Sequence, residues 1–297
     1  MERDKNLVVC MCFEEYDNYD ILLNRLGHGD IFGRDQLVSL LLQGSDTTQL
    51  EGLCWDVQDC AFPLIADVSI FDPSSASQHP DIVLVLLADS PVSGISRRSI
   101  NTQQSPPAFT EHITEFSNLL GLVQYTSTLD EMLAAQCRQN TPIVLLGDLA
   151  HVAASLLASR VMLSSAGQVI ALHGEDELRL KHARPGQGQM SKTTRFCHIL
   201  RHWWTGTQAN IDRKVHLGTK FVDVKQNIAK EATGYFFSAP VDISGPGTFT
   251  ANLDLDADEG HLAKVKMETD MAHSLAEFLE GSKLNRNVNL TCQKAHL

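Results

Sequence analysis

The stretch Leu50-Glu51-Gly52-Leu53-Cys54-Trp55-Asp56-Val57-Gln58-Asp59-Cys60-Ala61-Phe62-Pro63-Leu64 decides the fold. Its apolar spacing predicts a helix over Leu50–Asp59, and Phe62-Pro63 ends that helix. A short apolar strand is predicted on each side, over Leu37–Leu42 and Val68–Phe71. A helix between two short apolar strands is typical of a parallel sheet with crossover helices.

The rest of the first half continues this order of strands and helices. Asp81–Leu87 is apolar throughout, as a parallel strand buried on both faces should be. The other predicted elements are strands over Leu7–Cys12 and Ile143–Leu146, helices over Asp20–Gly27 and Phe109–Cys137 (the latter in one piece or two), and a turn at His28-Gly29-Asp30. The sequence predicts a mostly parallel, doubly wound sheet over residues 1–150.

The second half, residues 151–297, has a different pattern, which predicts a smaller α+β domain. Lys181–Lys192 is polar and glycine-rich and is predicted to be a loop. Its predicted elements are a strand over Val169–Leu172, a helix over Thr193–Trp204, a hairpin of Tyr235–Ile243 with Thr248–Leu255 around Ser244-Gly245-Pro246-Gly247, and a long helix from Asp258 to Gly281.

Composition limits the functional classes. The 297-residue chain has a net charge of −12, which opposes non-specific binding to nucleic acids and to anionic membranes. No apolar run is long enough to span a bilayer, and Met1–Asn6 has no apolar signal core, so we expect a cytoplasmic protein. The seven cysteines include no Cys-x-x-Cys pair, and Cys10 and Cys12 are predicted to be buried core thiols.

Several segments, in one order along the chain, resemble the lactate/malate dehydrogenase superfamily. They are Gly29–Gly33, Leu50–Leu64, Pro80–Leu87, Ile143–Gly147, His202–Thr207 and Tyr235–Pro240. The chain looks most like the cytosolic malate dehydrogenases, above all their divergent 1B-type branch. The resemblance implies a Rossmann domain over residues 1–150 and a shortened α+β C-terminal domain over residues 151–297. It also aligns this chain with the family, so that the residue at each functional position of the family can be identified here.

The cofactor positions hold residues that do not suit a dinucleotide. The family places glycines after the first strand so that its backbone approaches the pyrophosphate. The matching positions here are Cys12, Glu14 and Glu15, in a stretch with two aromatic residues and no glycine. Gln43 ends the second strand where the family has an acid for the ribose, and Asp46 lies in what reads as an ordinary turn. No cofactor is therefore predicted; the alternative is NAD.

The substrate and nicotinamide positions are also altered. Val92 and Ser93 stand where the resemblance implies a pair of arginines, and Arg97 matches the next substrate-binding arginine. Asp148 takes the place of the asparagine that helps to position the nicotinamide. A carboxylate at that point disfavours binding of a substrate carboxylate.

The general acid is missing in the same register. Hydride transfer to a ketone needs a proton donor, which the family supplies as a histidine paired with an aspartate. Asp176 lies near the position of that histidine, and His173 precedes the glycine instead of following it. The chain is shortened between Ala150 and Thr193, where the aspartate of the pair is expected. No catalytic residue is therefore predicted.

Two patterns imitate metal sites. His198 and His202 share one face of a predicted helix, but no glutamate completes a zinc motif. Asp254, Asp256 and Asp258 imitate a calcium loop that lacks the turn glycine. Surface histidines and an acidic helix start are the better interpretations, so no metal is predicted.

Three functional hypotheses remain. The first is a catalytically inactive malate dehydrogenase-like pseudoenzyme that binds protein partners; its likeness to the 1B-type branch implies a large axonemal assembly of a cilium or flagellum. The second is an active NAD-dependent malate dehydrogenase. The third is a binder of a different small ligand in the altered pocket. The resemblance is also compatible with a homodimer.

Overall fold

The computed structural model of the chain describes residues 5–14, 19–72, 79–87, 110–138, 141–158, 169–172, 192–206, 215–220, 236–245 and 247–251. The strands are β1 Leu7–Phe13, β2 Val38–Gln43, β3 Ile65–Ile70, β4 Ile82–Leu86, β5 Ile143–Leu146, β6 Val169–Leu172, β7 Val215–Lys220, β8 Phe236–Gly245 and β9 Thr248–Ala251. The helices are α1 Tyr19–Gly27, α2 Thr47–Asp59, α3 Thr110–Gln136, α4 Ala150–Ala158 and α5 Lys192–Thr205.

The strands form a nine-stranded sheet in the order β3-β2-β1-β4-β5-β6-β7-β8-β9. Strands β1 to β6 pair in parallel, and β7 to β9 continue the sheet in antiparallel pairing. The strand order reverses between β1 and β4, where ligands bind in doubly wound sheets. The predicted Rossmann-type α/β fold is confirmed.

The alternating side chains of β1 divide the core between the two faces of the sheet. Val9, Met11 and Phe13 belong to the core layer that also contains residues of α1, α2 and α5. Cys10 and Cys12 belong to the opposite layer, with residues of α3 and α4. Side chains buried on both faces explain why the central strands read as unbroken apolar runs.

The first two helices begin and end at identifiable residues. Helix α2 begins at Thr47, ahead of the predicted start, because the side chain of Asp46 caps it. Helix α1 ends at Gly27, where an added Cβ would lie 2.6 Å from Cγ of Phe62. This glycine lets the chain after α2 return close to the end of α1.

The structure differs from the sequence predictions at several elements. Helix α3 is one continuous helix, and α4 and β7 were not predicted. The predicted final helix and the ends of the predicted hairpin lie outside the described residues. Strand β6 lies beyond residue 150, and the division into residues 1–150 and 151–297 stays a prediction. In the described part of the chain, no helix combines the length and apolar character that a membrane crossing requires.

Candidate functional site at the carboxyl ends of the parallel strands

The candidate site lies at the carboxyl ends of β1, β2, β4 and β5. The sheet stays hydrogen-bonded up to this edge: the backbone N–H of Glu14 donates to the carbonyl of Leu86 at 3.0 Å. The N–H of Leu87 donates to the carbonyl of Leu146 at 2.9 Å. Glu14 and Leu87, which directly follow β1 and β4, are therefore held at the edge of the sheet where the strand order reverses.

A buried aromatic side chain ends β1. Phe13 is 1% exposed and makes an edge-to-face contact with Tyr19, the first residue of α1, with ring centroids 6.0 Å apart. The family register places a tight glycine turn after this strand, so that a pyrophosphate can approach bare backbone. Here the two rings join the strand to the helix by packing.

The start of α1 has a negative electrostatic environment. Asp20 lies in its first turn and is exposed. The pKa of the Tyr19 hydroxyl is raised by partial burial, and next by the charges of Asp20 and Asp56. A helix N-terminus favours an anion, but the carboxylates here already supply negative charge and oppose a pyrophosphate. Glu14 is half-buried on the same connection.

The carboxylate that follows β2 has a structural role. Gln43 is the last residue of the strand, where the family register expects an acid. Oδ1 of Asp46 accepts hydrogen bonds from the backbone N–H groups of Thr48 at 2.9 Å and Gln49 at 3.1 Å. Asp46 lies in the connection after β2, as predicted, and its carboxylate is also the N-cap of α2.

A partly buried ion pair lies at the end of β5. Oδ2 of Asp148 lies 2.7 Å from Nζ of Lys192, the first residue of α5, and the Asp148 side chain is only 6% exposed. Lys192 had been assigned to the end of a loop, and nothing in the sequence signalled the pairing. Gly147 precedes the aspartate at φ 146°, and an added Cβ there would lie 2.9 Å from Cβ of Leu87. The side chain of Asp148 thus anchors the start of α5 to the sheet.

The turn after β5 leads into a helix that packs against the second half of the chain. His151 in α4 is 1% exposed, and its carbonyl accepts a hydrogen bond from the Ser155 hydroxyl at 2.8 Å. The Ser155 oxygen in turn accepts from the backbone N–H of Phe236 in β8 at 2.9 Å. These contacts give the turn a structural role that connects β5 with the antiparallel strands.

Cys10 and Cys12 are core thiols, as predicted, whereas Cys60 is exposed. Cys10 and Cys12 are fully buried, with their sulfur atoms 3.7 Å apart. The hydrogen bond to Cys10 and then burial raise the pKa of the Cys12 thiol. Burial raises the pKa values of Cys137 and Cys197 to about 12. Thiols with raised pKa values stay protonated and are poor nucleophiles at neutral pH.

The paired histidines of α5 lie beside cations. Burial, then the charge of Arg25, lowers the pKa of His198, and His202 and Arg201 act in the same direction. A histidine that disfavours its proton is suitable as a ligand, but a site needs further ligands. Among the described residues, no three histidine, cysteine or acidic side chains form a group able to hold a metal ion.

Several sequence-predicted positions fall outside the part of the chain that the structure describes. They are Glu15, Val92, Ser93, Arg97, His173 and Asp176. The arginine-loop and general-acid assignments therefore stay predictions. The structure places Cys12, Glu14, Gln43 and Asp148 at the ends of β1, β2 and β5, which is where the family register put them.

The described residues of this site do not fit NAD. A dinucleotide needs close backbone approach at the end of β1 and an acid for the ribose at the end of β2. Two aromatic residues in contact, Phe13 and Tyr19, stand on either side of the first position, and Gln43 stands at the second. Asp20 adds negative charge where the pyrophosphate would bind.

Part of the chain is similar in sequence to a known enzyme. Malate dehydrogenase from Protochlamydia amoebophila is 37% identical over 87 residues, which are 28% of this chain and 26% of that protein. The match thus spans about a quarter of that relative's length. No family model matches the chain.

Solved structures of the superfamily are similar over nearly the whole chain. Malate dehydrogenase from Naegleria fowleri covers 93% of this chain and 98% of its own, with a TM-score of 0.61 and 12% identity. Lactate dehydrogenase from Trichomonas vaginalis, solved with NADH and oxamate, covers 94% and 99%, with a TM-score of 0.65 and 12% identity. At such low identity the similarity shows the fold, and that fold is the one these dehydrogenases share.

Proposed function

We propose that this chain, a malate/lactate dehydrogenase-like protein by fold and by part of its sequence, is a catalytically inactive pseudoenzyme that binds protein partners. Its scaffold is kept as a packed body, and its dinucleotide site is filled by the protein's own side chains. The cofactor would then bind neither tightly nor in a reactive orientation.

The observation that carries this proposal is the contact between Phe13 and Tyr19. The two rings lie 6.0 Å apart between the end of β1 and the start of α1, where a dinucleotide would need open backbone. Phe13 is 1% exposed, so removing it from this position would open a cavity in the core. The aromatic pair is therefore integral to the fold and cannot be displaced cheaply by a ligand.

The ion pair between Asp148 and Lys192 supports the same proposal at the next position along the site. The carboxylate replaces a neutral amide of the family register, and its charge is neutralised by the lysine at 2.7 Å. A partly buried pair of this kind stabilises the start of α5, and the Asp148 carboxylate offers no donor to a nicotinamide or an oxoacid.

The cellular setting is proposed from the resemblance alone. The 1B-type branch implies a structural component of a ciliary or flagellar axoneme, and otherwise a cytoplasmic protein. The net charge of −12 favours partners with basic surfaces over nucleic acids or anionic membranes.

An activity assay tests the proposal against its alternative, an active NAD-dependent malate dehydrogenase. Purified full-length chain is mixed with NADH and oxaloacetate, and in parallel with NADH and pyruvate, while absorbance at the NADH band is followed. We expect no turnover above the rate without protein. Saturable oxidation of NADH by either oxoacid would overturn the proposal.

A further inference from the structure

No further inference is drawn: the strongest candidate, the basic surface patch that Arg25 of α1 forms with His198, Arg201 and His202 of α5, has part of its charge taken up by the ion pair between Arg25 and Asp30, and nothing in the described residues shows what covers it.

Discussion

At the scale of single residues, the clearest departure from a dehydrogenase site is the charge of Asp148. A carboxylate that is 6% exposed is costly unless a cation compensates it, and Lys192 supplies that cation at 2.7 Å. The lysine is 35% exposed, so its own charge remains partly hydrated. The carboxylate of Asp148 therefore needs the lysine to compensate its charge, whereas water can partly compensate the charge of Lys192.

This inequality predicts the effect of removing each partner. Lys192→Met should lower the free energy of unfolding by about 1–3 kcal/mol, because it leaves a buried carboxylate unpaired. Asp148→Asn should cost less, since the lysine retains contact with water. Urea denaturation of the two single variants and the double variant measures this. Equal stability of Lys192→Met and the unmodified chain would show that the pair does not anchor α5.

His198 predicts a pH dependence of stability. Burial, and then the nearby Arg25, His202 and Arg201, lower its pKa in the folded chain below the unfolded value of about 6.5, against a smaller opposing effect of Asp30. The unfolded chain therefore binds the proton more readily. The contribution of this group is fully present above the unfolded pKa and is lost as pH falls from there towards the folded pKa.

The measurement is the free energy of unfolding of the unmodified chain and of His198→Gln between pH about 7.5 and about 5. The variant should lose less stability on acidification. The pKa of Asp30 is also lowered, mainly by its hydrogen bond from Arg25, so its contribution to stability is lost as pH falls below its ordinary pKa. Measurements above pH about 4.5 avoid this second loss of stability. If the free energies of unfolding of the two proteins change in parallel with pH, His198 is not the source of this pH dependence.

Sequence reasoning found residue positions more readily than residue partners. It placed Gln43 and Asp148 at the ends of strands, because strand ends follow from apolar runs. It missed the pairing of Asp148 with Lys192, because the two residues are 44 positions apart and only the folded sheet brings them together. The N-cap at Asp46 was readable in principle, since an aspartate just before an apolar helical pattern is a start signal.

At the scale of elements, two glycines in neighbouring helices predict opposite effects. Gly27→Ala should destabilise the protein by about 1–3 kcal/mol, because the new Cβ would lie 2.6 Å from the Phe62 ring. Gly52→Ala is the matched control in the interior of α2, where an added Cβ meets nothing within 4 Å. It should stabilise by about 0.5–1 kcal/mol through helix propensity.

Urea denaturation compares these two variants directly. If both substitutions stabilise the protein, Phe62 does not pack against the end of α1 as described. If both destabilise it, Gly52 has a contact outside the described residues. Both changes add the same methyl group, so the opposite signs reflect the space around each added Cβ and the helix propensity gained in the interior of α2.

The elements that sequence analysis missed have physical reasons. Helix α4 is buried over residues 151–157, so it has no polar face to give a helical period. Strand β7 pairs with β6 at Ala171↔Gly218, a contact between segments far apart in the chain. Predicted strands β1, β5 and β6 were accurate, because short apolar runs between turn signals identify buried parallel strands.

At the scale of the whole molecule, the strand order of the dehydrogenase-like fold is retained around a site whose described residues differ from those of the family register. The parallel strands run in the order β3-β2-β1-β4-β5-β6, and their carboxyl ends still converge at the reversal between β1 and β4. The residues at that edge connect elements: Phe13 with α1, Asp46 with α2, and Asp148 with α5.

Titration of the full-length protein with NADH tests this claim most directly. NADH fluorescence and calorimetry are followed at high protein concentration, with an active malate dehydrogenase as the positive control. We predict no change in NADH fluorescence and no binding heat beyond dilution, because bulky and acidic residues, Phe13, Tyr19 and Asp20, flank the position where the pyrophosphate would bind. Saturable binding of NADH with one site per chain would contradict the loss of the dinucleotide site.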